Sequence, residues 1–127
     1  MVKLNSILII ENDETSNFIM KFVLKSVAEF DSLHSVDNGR EACQYLEEHR
    51  DRLPDLIFLD LHMPGMDGWE FLDWYEQMDF KQKSRIVIIS SSILLEDKQK
   101  AQKYADVLDF VDKPLTKETV EKILAGW

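Results

Sequence analysis

Polar side chains that could do chemistry follow apolar runs at four places along the chain. Glu11 and Asn12 follow the first run, and Asp60 follows a second. Ser90 ends a third run, and Lys113 follows a fourth. Taken alone, each residue has an ordinary explanation as a helix cap, a turn residue or a surface lysine. Because the carboxyl ends of parallel strands meet at one edge of a sheet, where ligands bind, we interpret the five residues as one cluster.

The cluster combines the groups that phosphoryl transfer requires. Glu11, Asn12 and Asp60 offer oxygen ligands of the kind that Mg²⁺ prefers. Lys113 supplies a positive charge for a phosphate, and the Ser90 hydroxyl can donate a hydrogen bond to an anionic oxygen. A carboxylate can attack phosphorus and form an aspartyl-phosphate. Asp60 is therefore the candidate nucleophile, with Mg²⁺ and Lys113 neutralising the charge on the transferred group.

Apolar runs alternate with amphipathic or polar segments, which predicts strands alternating with helices. This pattern implies an α/β fold, a doubly wound five-stranded parallel sheet with helices on both faces. The apolar run before Asp60, residues 56–59, predicts a strand buried on both faces. The predicted strands cover residues 7–10, 32–37, 56–59, 86–89 and 107–111. The first predicted helix begins after a cap at Asp13 or Thr15, and the last begins after a cap at Thr116. The three helices between them cover about residues 40–50, 68–78 and 94–104.

The first predicted helix carries an apolar stripe at helical spacing, which we assign to the core together with Phe18 and Phe22. The single cysteine, Cys43, lies within the second predicted helix and is interpreted as a packing residue.

Composition limits the classes of protein to which the chain can belong. A length of 127 residues predicts a single domain with its own core. The net charge of −9 argues against nucleic acid or an anionic membrane as a direct partner. No apolar run approaches the roughly 18 residues of a transmembrane helix, and the amino terminus lacks a secretory cleavage pattern. We therefore expect a cytoplasmic protein.

From about Ser6 to Leu124 the chain resembles the receiver domain of two-component response regulators. The resemblance lies in the acidic run after the first strand, residues 11–14, in the motif over residues 60–68, in Ser90, and in Asp112-Lys113-Pro114. It implies a flavodoxin-like receiver fold with strand order 2-1-3-4-5. The chain ends at Trp127, just past the last predicted helix, so we expect one receiver domain over residues 1–127 with no output domain.

The resemblance also implies a role for each member of the cluster. Asp60 would accept a phosphoryl group from a phosphohistidine on a sensor histidine kinase or a histidine phosphotransfer protein. Glu11 and Asn12 occupy the acidic-pair positions. They would bind Mg²⁺ together with Asp60 and the backbone carbonyl of His62. Lys113 matches the family's invariant lysine. Such a domain is a signalling switch that promotes its own phosphorylation and dephosphorylation, not an enzyme acting on other substrates.

By the same resemblance, Ser90 matches the switch hydroxyl that turns toward the phosphoryl group. Phe110 matches the aromatic residue whose rotamer follows that movement. These changes would remodel the face made by the fourth helix, the last strand and the last helix, which a downstream protein target reads. The chain would be a monomer or a phosphorylation-dependent dimer.

Two residues depart from the family pattern. Asn12 stands where Asp is usual, so the site loses one negative charge and we predict weaker Mg²⁺ binding. Asp13 could supply the missing charge from the loop. His62, two residues after Asp60, borders the path of the water that hydrolyses an aspartyl-phosphate. We hypothesise that it alters the lifetime of the phosphoryl group, although an exposed histidine without a role remains the alternative.

Other functions fit the sequence less well. A degenerate receiver, acting as a binding module without phosphorylation, is the alternative that Asn12 supports. A hydrolase of the haloacid-dehalogenase type would carry a second Asp at the position of His62. A nucleotide-binding module would need a glycine-rich phosphate loop, and the four glycines of the chain form neither common motif.

Overall fold

Five strands form one parallel sheet, and helices cover both of its faces. The computed structural model describes residues 3–91 and 94–127. The strands are β1 (Lys3–Ile10), β2 (Glu29–Val36), β3 (Leu56–Asp60), β4 (Arg85–Ser90) and β5 (Val107–Asp112). The helices are α1 (Glu14–Val27), α2 (Gly39–Glu48), α3 (Gly68–Gln77), α4 (Leu95–Ala101) and α5 (Lys117–Ala125). The sheet has the order β2-β1-β3-β4-β5 with all neighbours parallel, which confirms the predicted topology.

The sheet separates two apolar cores. One core lies beneath α2, α3 and α4, and the other lies beneath α1 and α5. β3 contributes to both, because Ile57 and Leu59 point to the first core and Leu56 and Phe58 point to the second. All five residues of β3 are buried, as predicted for a central parallel strand. Asp60, the last of them, is therefore fixed by packing on both sides of the sheet.

Side-chain caps start four of the helices. Asp13, rather than Thr15, caps α1 by accepting a hydrogen bond from the Ser16 backbone N–H at 2.8 Å. Asp67 and Glu70 form a reciprocal capping box at the start of α3. Asn38 and Thr116 cap α2 and α5. Within the described part of the chain, no helix has the length and apolar character needed to cross a membrane.

Three elements differ from the prediction by three or four residues at one end. β1 begins at Lys3, four residues before the predicted start. β2 covers Glu29–Val36 instead of 32–37, because this edge strand alternates exposed and partly buried residues and lacks a continuous apolar run. α4 ends at Ala101 instead of about residue 104, and Leu94 at its start offers no side-chain cap.

The assignment of Phe18 and Phe22 to the core is wrong. Phe18 is 71% exposed and Phe22 is 60% exposed. A helix that packs against a sheet buries only one side, and Met20, Val23 and Leu24 fill that side of α1. The two phenylalanines, one helical turn apart, therefore form an exposed aromatic patch on α1.

Candidate functional site

Glu11 is a fully buried acid at the carboxyl end of β1. Its backbone N–H donates to the Val36 carbonyl oxygen at 3.0 Å, so the contact between the first two strands continues past the end of β1. The chain then turns into α1 through the Asp13 cap. This turn leaves the Glu11 carboxyl inside the protein, whereas Asn12 is exposed.

Asp60 lies at the corresponding end of β3 and is only 4% exposed. β3 pairs with β1 on one side and with β4 on the other, and Asp60 itself is in register with Ile89. The backbone N–H of His62 donates to Asp60 Oδ1 at 3.2 Å. This contact fixes the orientation of the carboxylate, while the exposed His62 side chain lies at the rim of the site.

The loop between β3 and α3 folds tightly against Asp60. A Cβ atom on Gly68 would lie 2.8 Å from the Asp60 carbonyl oxygen and 2.8 Å from the Leu61 Cα atom. Only glycine therefore allows the start of α3 to come this close. Gly65 has a φ of 76°, a left-handed conformation that glycine adopts without strain. Both glycines are required for the compact loop that the sequence predicts after Asp60.

Lys113 joins the carboxylates of β1 and β3. Its ammonium group forms an ion pair with Glu11 Oε1 and lies 3.5 Å from Asp60 Oδ2. Its side chain is 16% exposed. The Lys113 backbone N–H donates to the Ser90 carbonyl oxygen at 2.9 Å, and the following peptide bond to Pro114 is cis. The ends of three strands thus meet at one cation.

Ser90 and Phe110 connect this edge to the region beneath α4. Ser90 is fully buried at the end of β4 and is in register with Asp112 of β5. Phe110 is partly buried against the core on the α2–α4 side of the sheet. It also lines a cavity of about 270 Å³ with residues of α4 and β5, including Ala101 and Leu108.

Burial and, after it, a hydrogen bond with the Asp60 carboxyl together raise the pKa of Glu11 to about 7, against the opposing effect of Lys113. For Lys113, burial acts to lower the pKa, but the hydrogen bond to Glu11 and the charge of Asp60 outweigh it and raise the pKa overall. Lys113 therefore stays charged, and the Glu11 carboxyl holds a proton more readily than an isolated acid does.

Asp13 has a different electrostatic environment. Hydrogen bonds from Ser16 to its carboxylate lower the pKa of Asp13, and Lys113 adds a smaller effect in the same direction. The carboxylate is ionised, but its cap geometry commits it to the start of α1. The sequence suggested that Asp13 supplies the negative charge that Asn12 lacks. Because the Asp13 carboxylate is held in the cap of α1, its charge acts on the candidate metal site from a distance.

The residues at this edge suit a magnesium ion. Glu11 and Asp60 place two carboxyls side by side, and Glu11 Oε2 is buried without a hydrogen-bond partner among the described residues. Within residues 3–91 and 94–127, no three or more His, Cys, Asp or Glu side chains form a metal-binding group. Mg²⁺ commonly binds through one or two carboxylates and keeps several waters, so a pair of acids supplemented by amide and carbonyl oxygens fits it.

The structure brings Glu11, Asp60 and Lys113 into direct contact and joins Ser90 to them through the backbone of Lys113. Asn12 and His62 lie beside this group with exposed side chains. Their roles, and those implied for the other residues, stay predictions. Sequence reasoning assigned Gly68 to a compact loop and to the start of the next helix, but missed its close approach to Asp60. The short interval between Asp60 and the next helix was the available signal.

Comparison with known proteins gives one consistent family. Residues 7–125 match the sequence profile of the response regulator receiver domain. A crystal structure of a two-component response regulator from Cytophaga hutchinsonii has a TM-score of 0.91 and 31% identity, covering 98% of this chain and 97% of that one.

Curated relatives agree with this result. The two-component response regulator ORR41 of Oryza sativa subsp. japonica is 32% identical, with 97% of this chain and 94% of that protein covered. The transcriptional regulatory protein CitT of Halalkalibacterium halodurans is 30% identical over 100% of this chain but only 54% of its own length. The chain thus spans about half the length of some curated relatives that it matches.

Proposed function

Because the chain belongs to the response regulator receiver domain family, we propose that it accepts a phosphoryl group on Asp60 in a Mg²⁺-dependent reaction. Receiver domains are signalling modules of two-component systems rather than conventional enzymes. The observation that carries the proposal is the contact of Lys113 with both Glu11 and Asp60 at the carboxyl edge of the sheet. This arrangement provides a buried nucleophile, a fixed cation and a second acid within one cluster.

In the proposed transfer, an Asp60 carboxylate oxygen forms a bond to phosphorus. The phosphorus–nitrogen bond of the donor phosphohistidine breaks, and the departing imidazole nitrogen keeps the electron pair and takes up a proton. The His62 backbone N–H holds Asp60 in position, and Lys113 neutralises an oxygen of the transferred group. Mg²⁺ held by Glu11, Asp60, the Asn12 amide and the His62 carbonyl would supply further charge neutralisation.

We further propose that phosphorylation is transmitted through Ser90 and Phe110. Ser90 lies at the end of β4, two strands from β1 and next to β3, the strand that ends at Asp60. Its hydroxyl would donate a hydrogen bond to an oxygen of the phosphoryl group. Phe110 borders the cavity beneath α4, which gives its ring space to change rotamer. The surface that would respond comprises α4, β5 and α5. Its exposed apolar residues include Leu95 at 70% and Leu108 at 45% exposure.

The donor proposed for Asp60 is a sensor histidine kinase or a histidine phosphotransfer protein, and the reader is a downstream protein target. Phe18 and Phe22 supply an exposed aromatic patch on α1, the helix that begins directly after Glu11 and Asn12. A donor must bring its phosphohistidine to this edge of the sheet, so a surface on α1 is well placed to bind it. These reactions would take place in the cytoplasm, with the receiver as a monomer or as a dimer that forms on phosphorylation.

The test is to incubate the protein with acetyl phosphate and Mg²⁺ and to record its intact mass. We expect a phosphoryl adduct that disappears in Asp60→Ala and in the absence of the metal. A wild type without an adduct that still binds beryllofluoride would have a competent site that depends on its protein donor. If neither reaction occurs, the proposal is wrong and the degenerate receiver, a binding module independent of phosphorylation, becomes the function to test.

A further inference from the structure

α4 is weakly held by the features that usually fix a helix. It has only seven residues, its first residue follows Leu94 without a side-chain cap, and Ala101 is its one buried residue among those described. Leu95 at its start is 70% exposed. Isolated helices of this length are unstable in water, so α4 depends on contacts with its neighbours for its position.

Two side chains connect α4 and the turn after it to α3. The Tyr104 hydroxyl donates to Asp73 Oδ1 at 2.6 Å. The Lys100 ammonium group lies 4.5 Å from the centre of the Trp69 ring, and the Trp69 and Tyr104 rings are stacked with centroids 6.1 Å apart. We call these four residues, Trp69, Asp73, Lys100 and Tyr104, the α3–α4 clamp.

The clamp connects α3, the helix that follows β3, with α4, the helix that follows β4. Trp69 comes directly after Gly68, where a Cβ atom would lie only 2.8 Å from the Asp60 carbonyl oxygen. α4 follows β4, which ends at Ser90. A shift of α4 relative to α3 must therefore break the hydrogen bond and the cation–π contact of the clamp.

The clamp keeps its hydrogen bond over the whole physiological pH range. Burial, together with the neighbouring Asp73 carboxylate, raises the pKa of Tyr104 to about 12. The phenol thus keeps the proton that it donates. The clamp is a constant restraint rather than a pH-sensitive one.

We propose that the α3–α4 clamp consists of positioning residues that hold α4 in its place in the unphosphorylated chain and thereby oppose switching. The proposal rests on the proposed phosphorylation of Asp60 and names the contacts that phosphorylation must overcome. By linkage, any interaction made only in the unphosphorylated arrangement weakens the binding of a phosphoryl mimic by the same factor. Removing the Tyr104 hydroxyl should therefore loosen α4 and tighten binding of the mimic together.

The experiment compares Tyr104→Phe with Tyr45→Phe. Both substitutions remove a phenol oxygen from a partly buried ring, but the Tyr45 hydroxyl makes no hydrogen bond to any residue that the structure describes, and its ring is held by stacking on His34 and His49. A second pair, Lys100→Gln and Lys103→Gln, removes the same charge with and without the contact to Trp69. Thermal unfolding monitors whether each variant keeps its fold.

Two readouts are needed. Hydrogen exchange of the α4 amides in the unphosphorylated protein measures how firmly the helix is held, and titration with beryllofluoride in the presence of Mg²⁺ measures switching. For Tyr104→Phe we expect exchange to quicken and the mimic to bind more tightly, each by about three- to tenfold, which is the range for loss of one hydrogen bond. Tyr45→Phe should change neither.

Unchanged α4 exchange in Tyr104→Phe would overturn the inference, as would faster exchange without tighter binding of the mimic. A wild type that fails to bind beryllofluoride would instead refute the proposed function. Hydrogen exchange alone would then still decide whether the clamp holds α4.

Discussion

At the scale of single residues, the site depends on one cation shared between two acids. Lys113 compensates the buried negative charge of Glu11 and Asp60. Without this cation, two adjacent buried carboxyl groups would be left without a neutralising partner. Asn12 and His62 lie outside this contact, and the sequence resemblance identifies them as departures from the family pattern. Their effects are therefore expected on metal affinity and phosphoryl lifetime rather than on folding.

Asn12→Asp should tighten Mg²⁺ binding about three- to tenfold, because it adds a negative charge close to the metal ligands. The titration belongs above the pKa of Glu11, which is about 7, so that Glu11 is ionised. Asn5→Asp adds the same charge at the other end of β1 and serves as the control. Equal affinities for Asn12→Asp and wild type would place Asn12 away from the metal.

His62→Ala should shorten the lifetime of the phosphoryl group severalfold. The backbone of His62, not its ring, contacts Asp60, so the exposed ring is free to cover the approach of water. The decay of the adduct after removal of acetyl phosphate gives the rate. His34→Ala, which removes an exposed imidazole from β2, provides the comparison, and equal decay in all three proteins would rule out a role for His62.

At the scale of elements, sequence predicted best what is determined by burial. The three central strands, β1, β3 and β4, were found because central parallel strands are continuous apolar runs. β2 was misplaced by up to three residues because an edge strand has one solvated side. α4 was predicted too long because Gln102 and Lys103 have helical propensity but are exposed, so burial does not extend the helix past Ala101.

The aromatic patch on α1 shows a second limit of pattern reading. Five apolar residues at helical spacing make a stripe wider than the face that a helix buries, and the sequence alone does not say which of them remain outside. The cluster of Glu11, Asp60 and Lys113 was predictable because topology alone brings strand ends together. The clamp was not, since Asp73 and Tyr104 are ordinary polar residues until α3 and α4 are placed side by side.

The β3–α3 loop should not tolerate a side chain at Gly68. Gly68→Ala places a Cβ within 2.8 Å of two backbone atoms that cannot move independently of Asp60. We expect a loss of about 1–3 kcal/mol in the free energy of unfolding, measured in urea, and slower phosphorylation by acetyl phosphate. Gly126→Ala, where the nearest atom would be 3.8 Å away, should leave both nearly unchanged.

The α1 patch should matter for a protein donor but not for a small one. We consider a phosphohistidine donor that phosphorylates the wild type. The double variant Phe18→Ala, Phe22→Ala should receive the phosphoryl group from it about tenfold more slowly, or slower still, because aromatic residues often dominate the binding energy of an interface. Phosphorylation by acetyl phosphate should not change, because neither ring contacts the site residues. Leu108→Ala removes an exposed apolar side chain from β5 instead, and a similar loss in that variant would show that the effect is not specific to α1.

At the scale of the whole molecule, the buried Glu11 couples the site to stability. Its pKa in the folded chain is about 7, above its ordinary value of 4.5. A carboxyl with a raised pKa contributes stability that is fully present below pH 4.5 and is lost as the pH rises through 7. Without metal, the folded protein therefore bears a cost near neutral pH that comes from the ionised acid.

Glu11→Gln removes this titration. Relative to the variant, the metal-free wild type should lose up to about 3 kcal/mol of its free energy of unfolding as the pH rises between those two values. Urea unfolding in a chelating buffer at a series of pH values measures the free energy of unfolding of both proteins. In the difference between wild type and variant, the contributions of the other titrating groups largely cancel. Parallel pH profiles would show that Glu11 is ionised normally in the fold.

The separation of Glu11 and Lys113 by 102 residues has a consequence for how the protein folds. Every strand pairing is parallel and spans a crossover helix, so the sheet contains no local hairpin that could form on its own. Long-range pairings of this kind form slowly because the chain must close large loops first. Glu11 and Lys113 come together at the site only when β1, β3 and β5 have all joined the sheet. A partly folded chain therefore lacks the contact of Lys113 with Glu11 and Asp60, so the proposed phosphorylation would be restricted to molecules that have completed folding.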